Sequence, residues 1–136
     1  MFLVALFLAT AALHGQPFGC VVNYAPVSGP AAEAAAEKRH AFSDAEYVAT
    51  PKPERNASPV YPFEAARAHT QGAVRILALV NEHGAVTKTE VIASDPAGVF
   101  DEATVSAMKS WRFQPEKRSG KRIPFVIDYV FVFRLR

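Results

Sequence analysis

The chain has 136 residues, 15 Lys and Arg against 13 Asp and Glu, and a single cysteine. This length allows one domain and whatever precedes it, and one cysteine excludes both an intrachain disulfide and a cysteine-based metal cluster. Basic residues gather toward the end (Arg112, Lys117, Arg118, Lys121, Arg122, Arg134 and Arg136), but no recognition-helix stripe or aromatic ribonucleoprotein motif accompanies them, so nucleic acid is not the expected partner.

Residues 1–19 read as a signal peptide or short membrane anchor. Met1 to Leu13 is apolar and contains Ala9-Thr10-Ala11, a cleavage-like run of small residues. As a helix this stretch reaches only about 20 Å, short of the ~30 Å hydrocarbon core. Cys20 follows Gly19, but Pro17 and Phe18 stand where lipid attachment needs other residues, so a plain free thiol is expected. Residues 20–50 read as a flexible Pro/Ala-rich linker, with one or two helical turns over Ala31–His40, where large apolar side chains are lacking.

The folded part is expected over residues 51–136. Pro62 opens a short helix, Phe63 to His69, with Gly72 as its stop. Two β-rich runs, Val74–Val80 and Ala85–Ala93, flank Asn81-Glu82-His83-Gly84 and predict a hairpin. Val74, Ile76, Ala78 and Val80 share one face. Val86 is out of phase with Thr89 and Val91, which predicts a bulge near Thr87-Lys88.

In the next helix Phe100, Ala103, Thr104, Ala107, Met108 and Trp111 form an apolar stripe, with Asp101 and Glu102 in the first turn. Pro115 bars its continuation. The last strand sets Phe125, Ile127, Tyr129, Phe131 and Phe133 against Val126, Asp128, Val130, Val132 and Arg134, and the charged set should lie outside. The fold class expected is α+β, a small two-layer domain with a three-stranded antiparallel sheet and two helices on one face. Leu77, Leu79, Val126, Val130 and Val132 would then lie on the open face, where a second copy, the linker or a partner should cover them. Because the chain ends on a strand, that strand is expected to be a sheet edge, able to take a peptide from another protein.

Ser58-Pro59-Val60-Tyr61-Pro62, Ala65, Gly72, the hairpin with Gly84, Phe100-Asp101, Ala107 and Trp111-Arg112-Phe113-Gln114-Pro115 stand in one order across residues 51–136. This ordered set resembles the C-terminal domain of TonB-family energy transducers. The resemblance implies a periplasmic module, not an enzyme and without a cofactor. It would bind the N-terminal TonB-box strand of TonB-dependent outer-membrane receptors and support energy-dependent transport. The family's inner-membrane proton-driven motor proteins would be further partners, with the N-terminal apolar segment as the attachment to the inner membrane.

By the same analogy the partner-binding residues are Ser58, Pro59, Val60 and Tyr61 with Ile127, Tyr129 and Phe131, and the structural core is Phe100, Ala107, Trp111 and Phe113. The alternative is a self-associating envelope scaffold of the same fold that forms a homodimer and transduces no energy. His40, His69 and His83 are scattered and no Ser/His/Asp set or acid pair converges by spacing, so neither catalysis nor a metal site is expected.

Overall fold

The computed structural model describes residues 19–136; the apolar segment read as a signal or anchor lies outside them. In chain order the elements are β1 (Cys20–Pro26), α1 (Pro30–Ala34), α2 (Ala36–Phe42), β2 (Glu46–Tyr47), β3 (Pro53–Arg55), α3 (Phe63–Arg67) and β4 (Gly72–Val80). Then follow β5 (Val86–Asp95), α4 (Asp101–Ser110), β6 (Arg112–Phe113), β7 (Glu116–Arg118), β8 (Lys121–Ile123) and β9 (Phe125–Leu135). The main sheet runs β1–β9–β4–β5, with β2 parallel to the start of β9. The pairs β3–β6 and β7–β8 stand apart from it.

The class is α+β as expected, and β4, β5 and β9 form its antiparallel centre. Alternation along β4 and β9 decides the inner face. Val74, Ile76, Ala78 and Val80 meet Phe125, Ile127, Tyr129, Phe131 and Phe133 in one buried cluster with Tyr61, Ala65, Phe100, Met108, Trp111 and Phe113. Thus α3 and α4 cover the same side of the sheet. The α4 stripe closes with Thr104, whose hydroxyl donates to the Phe100 carbonyl at 2.9 Å, so its buried oxygen is satisfied within the helix. In β5 the register slips between Leu79 and Val80, leaving Thr87 unmatched as the phase change at Val86 predicts, and again between Arg75 and Ile76 at Ile92.

Two expectations need correction. Residues 20–50 are not an extended linker. They add β1 and β2 to the sheet, making it five-stranded, and α1 and α2 pack over its outer face. Cys20, Val22 and Tyr24 alternate inward, and that short period-2 run is enough for a strand once an edge is offered to it. Ala32 and Ala35 are buried, and Phe42, the large apolar side chain of α2, joins Leu77 and Val126. Lys88 rides over the Phe42 ring at 4.5 Å and donates to its carbonyl at 2.7 Å.

β9, in turn, is not an edge. It lies between β4 and the pair β1 and β2, because the chain supplies its own flanking strands. The outer face, expected to need a cover, is covered by α1 and α2.

At the hairpin, Asn81 Oδ1 accepts from the His83 and Ala85 amides at 2.9 and 3.0 Å, and Gly84 takes φ of 81°. The Gly84 carbonyl accepts the Phe113 amide at 2.9 Å, and a Cβ on Gly84 would stand 1.9 Å from the Phe113 oxygen. Gly84→Ala therefore adds a left-handed backbone penalty and a steric displacement. Its expected loss is about 2–3 kcal/mol or more, to be read from urea unfolding curves.

Candidate strand-docking edge

The residues of the strand edge sort by backbone parity. In an antiparallel strand each residue points both its N–H and its C=O to one side, and its neighbour points them to the other. The Val27 amide donates to the Asp128 carbonyl and the Arg136 amide to the Gly19 carbonyl, both at 2.8 Å, while the Val48 amide reaches the Val126 carbonyl at 3.0 Å. The even residues of β9 therefore face β1 and β2, and the odd ones face β4.

The expected docking residues of β9 fall on its β4 side. Ile127, Tyr129 and Phe131 direct their backbone groups to β4 and bury their side chains in the core. The groups directed to β1 and β2 belong to Val126, Asp128, Val130, Val132 and Arg134. Sequence periodicity identifies which residues share a face, but not on which side of β9 the next strand lies.

Trp111 forms the floor beneath this edge. It is fully buried and stands edge-on to Tyr24 at 4.9 Å and Tyr129 at 5.2 Å, with Phe131 at 5.6 Å. Its Nε1 donates to the Ala57 carbonyl at 2.8 Å, and the Tyr24 hydroxyl donates to the Asn56 carbonyl at 3.1 Å. The Trp-Arg-Phe run thus holds the segment that leads into Ser58–Tyr61 beside β1.

Within that segment Tyr61 is buried against Phe100 and Phe133 and bonds the Thr70 carbonyl. Pro59 is buried, Ser58 is half-buried, and Val60 is 58% exposed close in sequence to Phe63, 70% exposed. Of the four, only Val60 offers a largely exposed side chain. Phe100, Ala107, Trp111 and Phe113 are all interior.

A polar latch holds α1 and α2 to the outer face. Asp128 is buried, and Arg75 donates to it from Nε at 3.0 Å and Nη2 at 2.7 Å, a bidentate pair. Arg75 Nη2 also reaches the Ala31 carbonyl at 2.8 Å. Arg39 stands 3.7 Å from the same carboxylate, bonds the Ala32 carbonyl and lies 3.8 Å over the Tyr47 ring. At the other end Arg118 donates to Glu46 at 2.8 Å, so the basic hairpin β7–β8 touches β2. Sequence reading missed Cys20, Val22, Tyr24 and this latch; the alternation of 20–24 just before Pro26 was the available signal.

Burial raises the hydroxyl pKa of Tyr24, Tyr47, Tyr61 and Tyr129 above their ordinary value. Nearby negative charge adds to the effect, from Asp128 at Tyr47 and from ionised Tyr24 at Tyr129. Their folded-state values exceed the unfolded ones, so their contribution is fully present below about pH 10 and is lost as pH rises through the folded values. Urea midpoints are expected to hold near pH 8 and to fall beyond about pH 10.

Among the described residues no group of three or more His, Cys, Asp and Glu side chains is arranged to hold a metal, and no helix is long and apolar enough to cross a membrane. What the arrangement can do is hold an extended strand on backbone hydrogen bonds above an aromatic floor.

Comparison with known proteins places this geometry. The profile of a family described as the Gram-negative bacterial TonB protein C-terminal matches residues 57–135. Protein TonB of Pseudomonas aeruginosa is 32% identical over 84 residues, which cover 62% of this chain and 25% of that protein. Protein TonB of Salmonella typhimurium is 29% identical over 103 residues, 75% of this chain and 41% of that one. The chain thus matches less than half the length of these relatives. A solution NMR structure of the Pseudomonas aeruginosa TonB CTD superposes with a TM-score of 0.55 at 30% identity, covering 69% of this chain and 97% of that one.

Proposed function

Because the chain belongs to the family of Gram-negative TonB C-terminal domains, we propose that it is a periplasmic binding module, not an enzyme, that engages the N-terminal TonB-box strand of outer-membrane receptors and supports energy-dependent transport. The observation that carries this reading is the docking side of β9. Within the residues that match the family, β9 has β4 on one side only; its other side is met by strands from residues 20–47, ahead of the match. An extended segment can bond the backbone groups of Val130, Val132 and Arg134 with little demand on its sequence. It would lie beside Ser58–Tyr61, with Val60 as the exposed apolar neighbour.

Coupling to inner-membrane motor proteins belongs to the same proposal and would run through residues ahead of β1. The self-associating scaffold has less support, because the outer-face residues that favoured it, Leu77 and Leu79, pack with Phe42 and Val126 within one chain.

The test is an NMR titration of TonB-box peptides from the host's outer-membrane receptors into the full chain carrying Asn23→Pro. By parity Asn23 faces Val132, so proline removes a ladder donor from β1 and loosens its hold. Saturable shifts at the Val130 and Val132 amides are expected. No saturable shift at high micromolar peptide overturns the receptor reading.

A further inference from the structure

We propose that β1 is a tethered occupant of the docking edge that a partner strand must displace, and that its inward pattern describes the segment the edge accepts. That segment is an extended peptide with a small apolar, a β-branched and an aromatic side chain at alternate positions. The inference rests on the receptor-engaging reading for the identity of the partner.

Four observations carry it. First, β1 is the end strand of the sheet and pairs with β9 from Cys20–Leu135 to Pro26–Tyr129, which covers Val130, Val132 and Arg134, the groups an incoming strand needs. Second, β1 precedes residues 57–135, which match the family.

Third, its inward side chains fill the same slot a ligand would fill. Cys20, Val22 and Tyr24 are buried, and Tyr24 lies 4.9 Å from Trp111 and 5.6 Å from Phe131, while Asn23 between them is only half-buried. Fourth, β1 is held independently of its own pairing. Just beyond Val27 and Ser28, Gly29 turns the chain with φ of 67° into α1, which the Arg75–Asp128–Arg39 latch fastens to the outer face. A displaced β1 therefore stays close to its edge and competes at high effective concentration.

In that arrangement the affinity measured for any partner strand is the intrinsic affinity reduced by the fraction of chains with the edge free. Receptor engagement is then selective for segments that match the pattern of β1 well enough to replace it.

The native Cys20 offers a reversible lock. Cys20 and Leu135 form a pair that by parity is not hydrogen-bonded, with Cα atoms about 4.5 Å apart in such pairs, within reach of a disulfide. In the full chain with Leu135→Cys, oxidation fixes β1 on β9 and reduction releases it. Two probes are titrated into the oxidised and reduced forms and into the Asn23→Pro chain. One is the set of receptor TonB-box peptides. The other is a peptide of residues 19–27 with serine for Cys20, together with its version bearing alanine for Tyr24.

The expected result is binding to the reduced and Asn23→Pro chains, a loss of about tenfold or more on oxidation, and weaker binding of the alanine peptide. Equal binding of the receptor peptides to oxidised and reduced protein overturns the occupant role while leaving the receptor reading intact. Binding of the 19–27 peptide alone, still lost on oxidation, supports the exchangeable edge and removes the receptor as its partner. Failure of both probes on the reduced and Asn23→Pro chains overturns both, provided hydrogen exchange shows the sheet folded.

Discussion

Trp111→Ala is expected to lower the unfolding free energy by about 3–5 kcal/mol, among the largest losses any single truncation in this chain should produce. The indole is fully buried and has Tyr24, Phe113, Tyr129 and Phe131 around it within 6 Å. Removing it opens a cavity that four aromatic rings on three elements cannot close together. It also frees the Ala57 carbonyl, which is 2.8 Å from Nε1; Ala57 is exposed, so water replaces that bond at little cost. Trp111→Phe should therefore lose less than the alanine variant. Urea unfolding measures the total, and native-state hydrogen exchange assigns it. Amides of β1 should lose more protection than those of β4, because Tyr24 leans on Trp111 while β4 keeps partners on both sides.

The second large effect is electrostatic. Arg75→Ala leaves the Asp128 carboxylate, whose side chain is 0% exposed, without its two donor bonds and with Arg39 at 3.7 Å as the remaining cation. Breaking a buried pair from one side costs about 3–5 kcal/mol, since the stranded charge keeps its desolvation penalty. Arg75→Leu combined with Asp128→Val removes both charges, and most of the loss should return. A double-mutant cycle reads the difference as the coupling of the pair. Because Arg75 also bonds the Ala31 carbonyl, the single variant should raise hydrogen exchange across α1 and α2. A single variant as stable as the native chain would mean that water reaches Asp128 and that the latch does not hold the helices.

Periodicity was sufficient for the centre of this fold. The alternation in Val74–Val80 and Phe125–Phe133 and the 3.6-residue stripe from Phe100 to Trp111 each describe a surface that must bury one side, and those sides meet in one core. The bulge at Thr87 was visible because a bulge is itself a break in period. The excess of apolar residues on the opposite face was equally plain, as Leu77, Leu79, Val126, Val130 and Val132 outnumber Arg75, Asp128 and Arg134 there.

Residues 20–50 show the limit of that method. An Ala-rich run carries weak periodic signal, and Asp128 read as a surface charge because nothing local indicates that Arg75 and Arg39 will close over it. The candidate site was legible to the same extent. Tyr61 and Trp111 were recognisable from the ordered motif, while which residues of β9 turn their backbone groups toward β1 was not.

Local pattern was enough for the α+β class, for the inner faces of β4, β9 and α4, and for the membership of residues 57–135 in the TonB C-terminal family. Those properties follow from local period and ordered motif, which belong to one chain segment at a time. Strand pairing in the folded chain makes β9 central, turns the backbone groups of its even residues toward β1 and β2, and places β1 along that side. These depend on which strand pairs with which, and backbone hydrogen bonds carry no side-chain signature that a sequence could display.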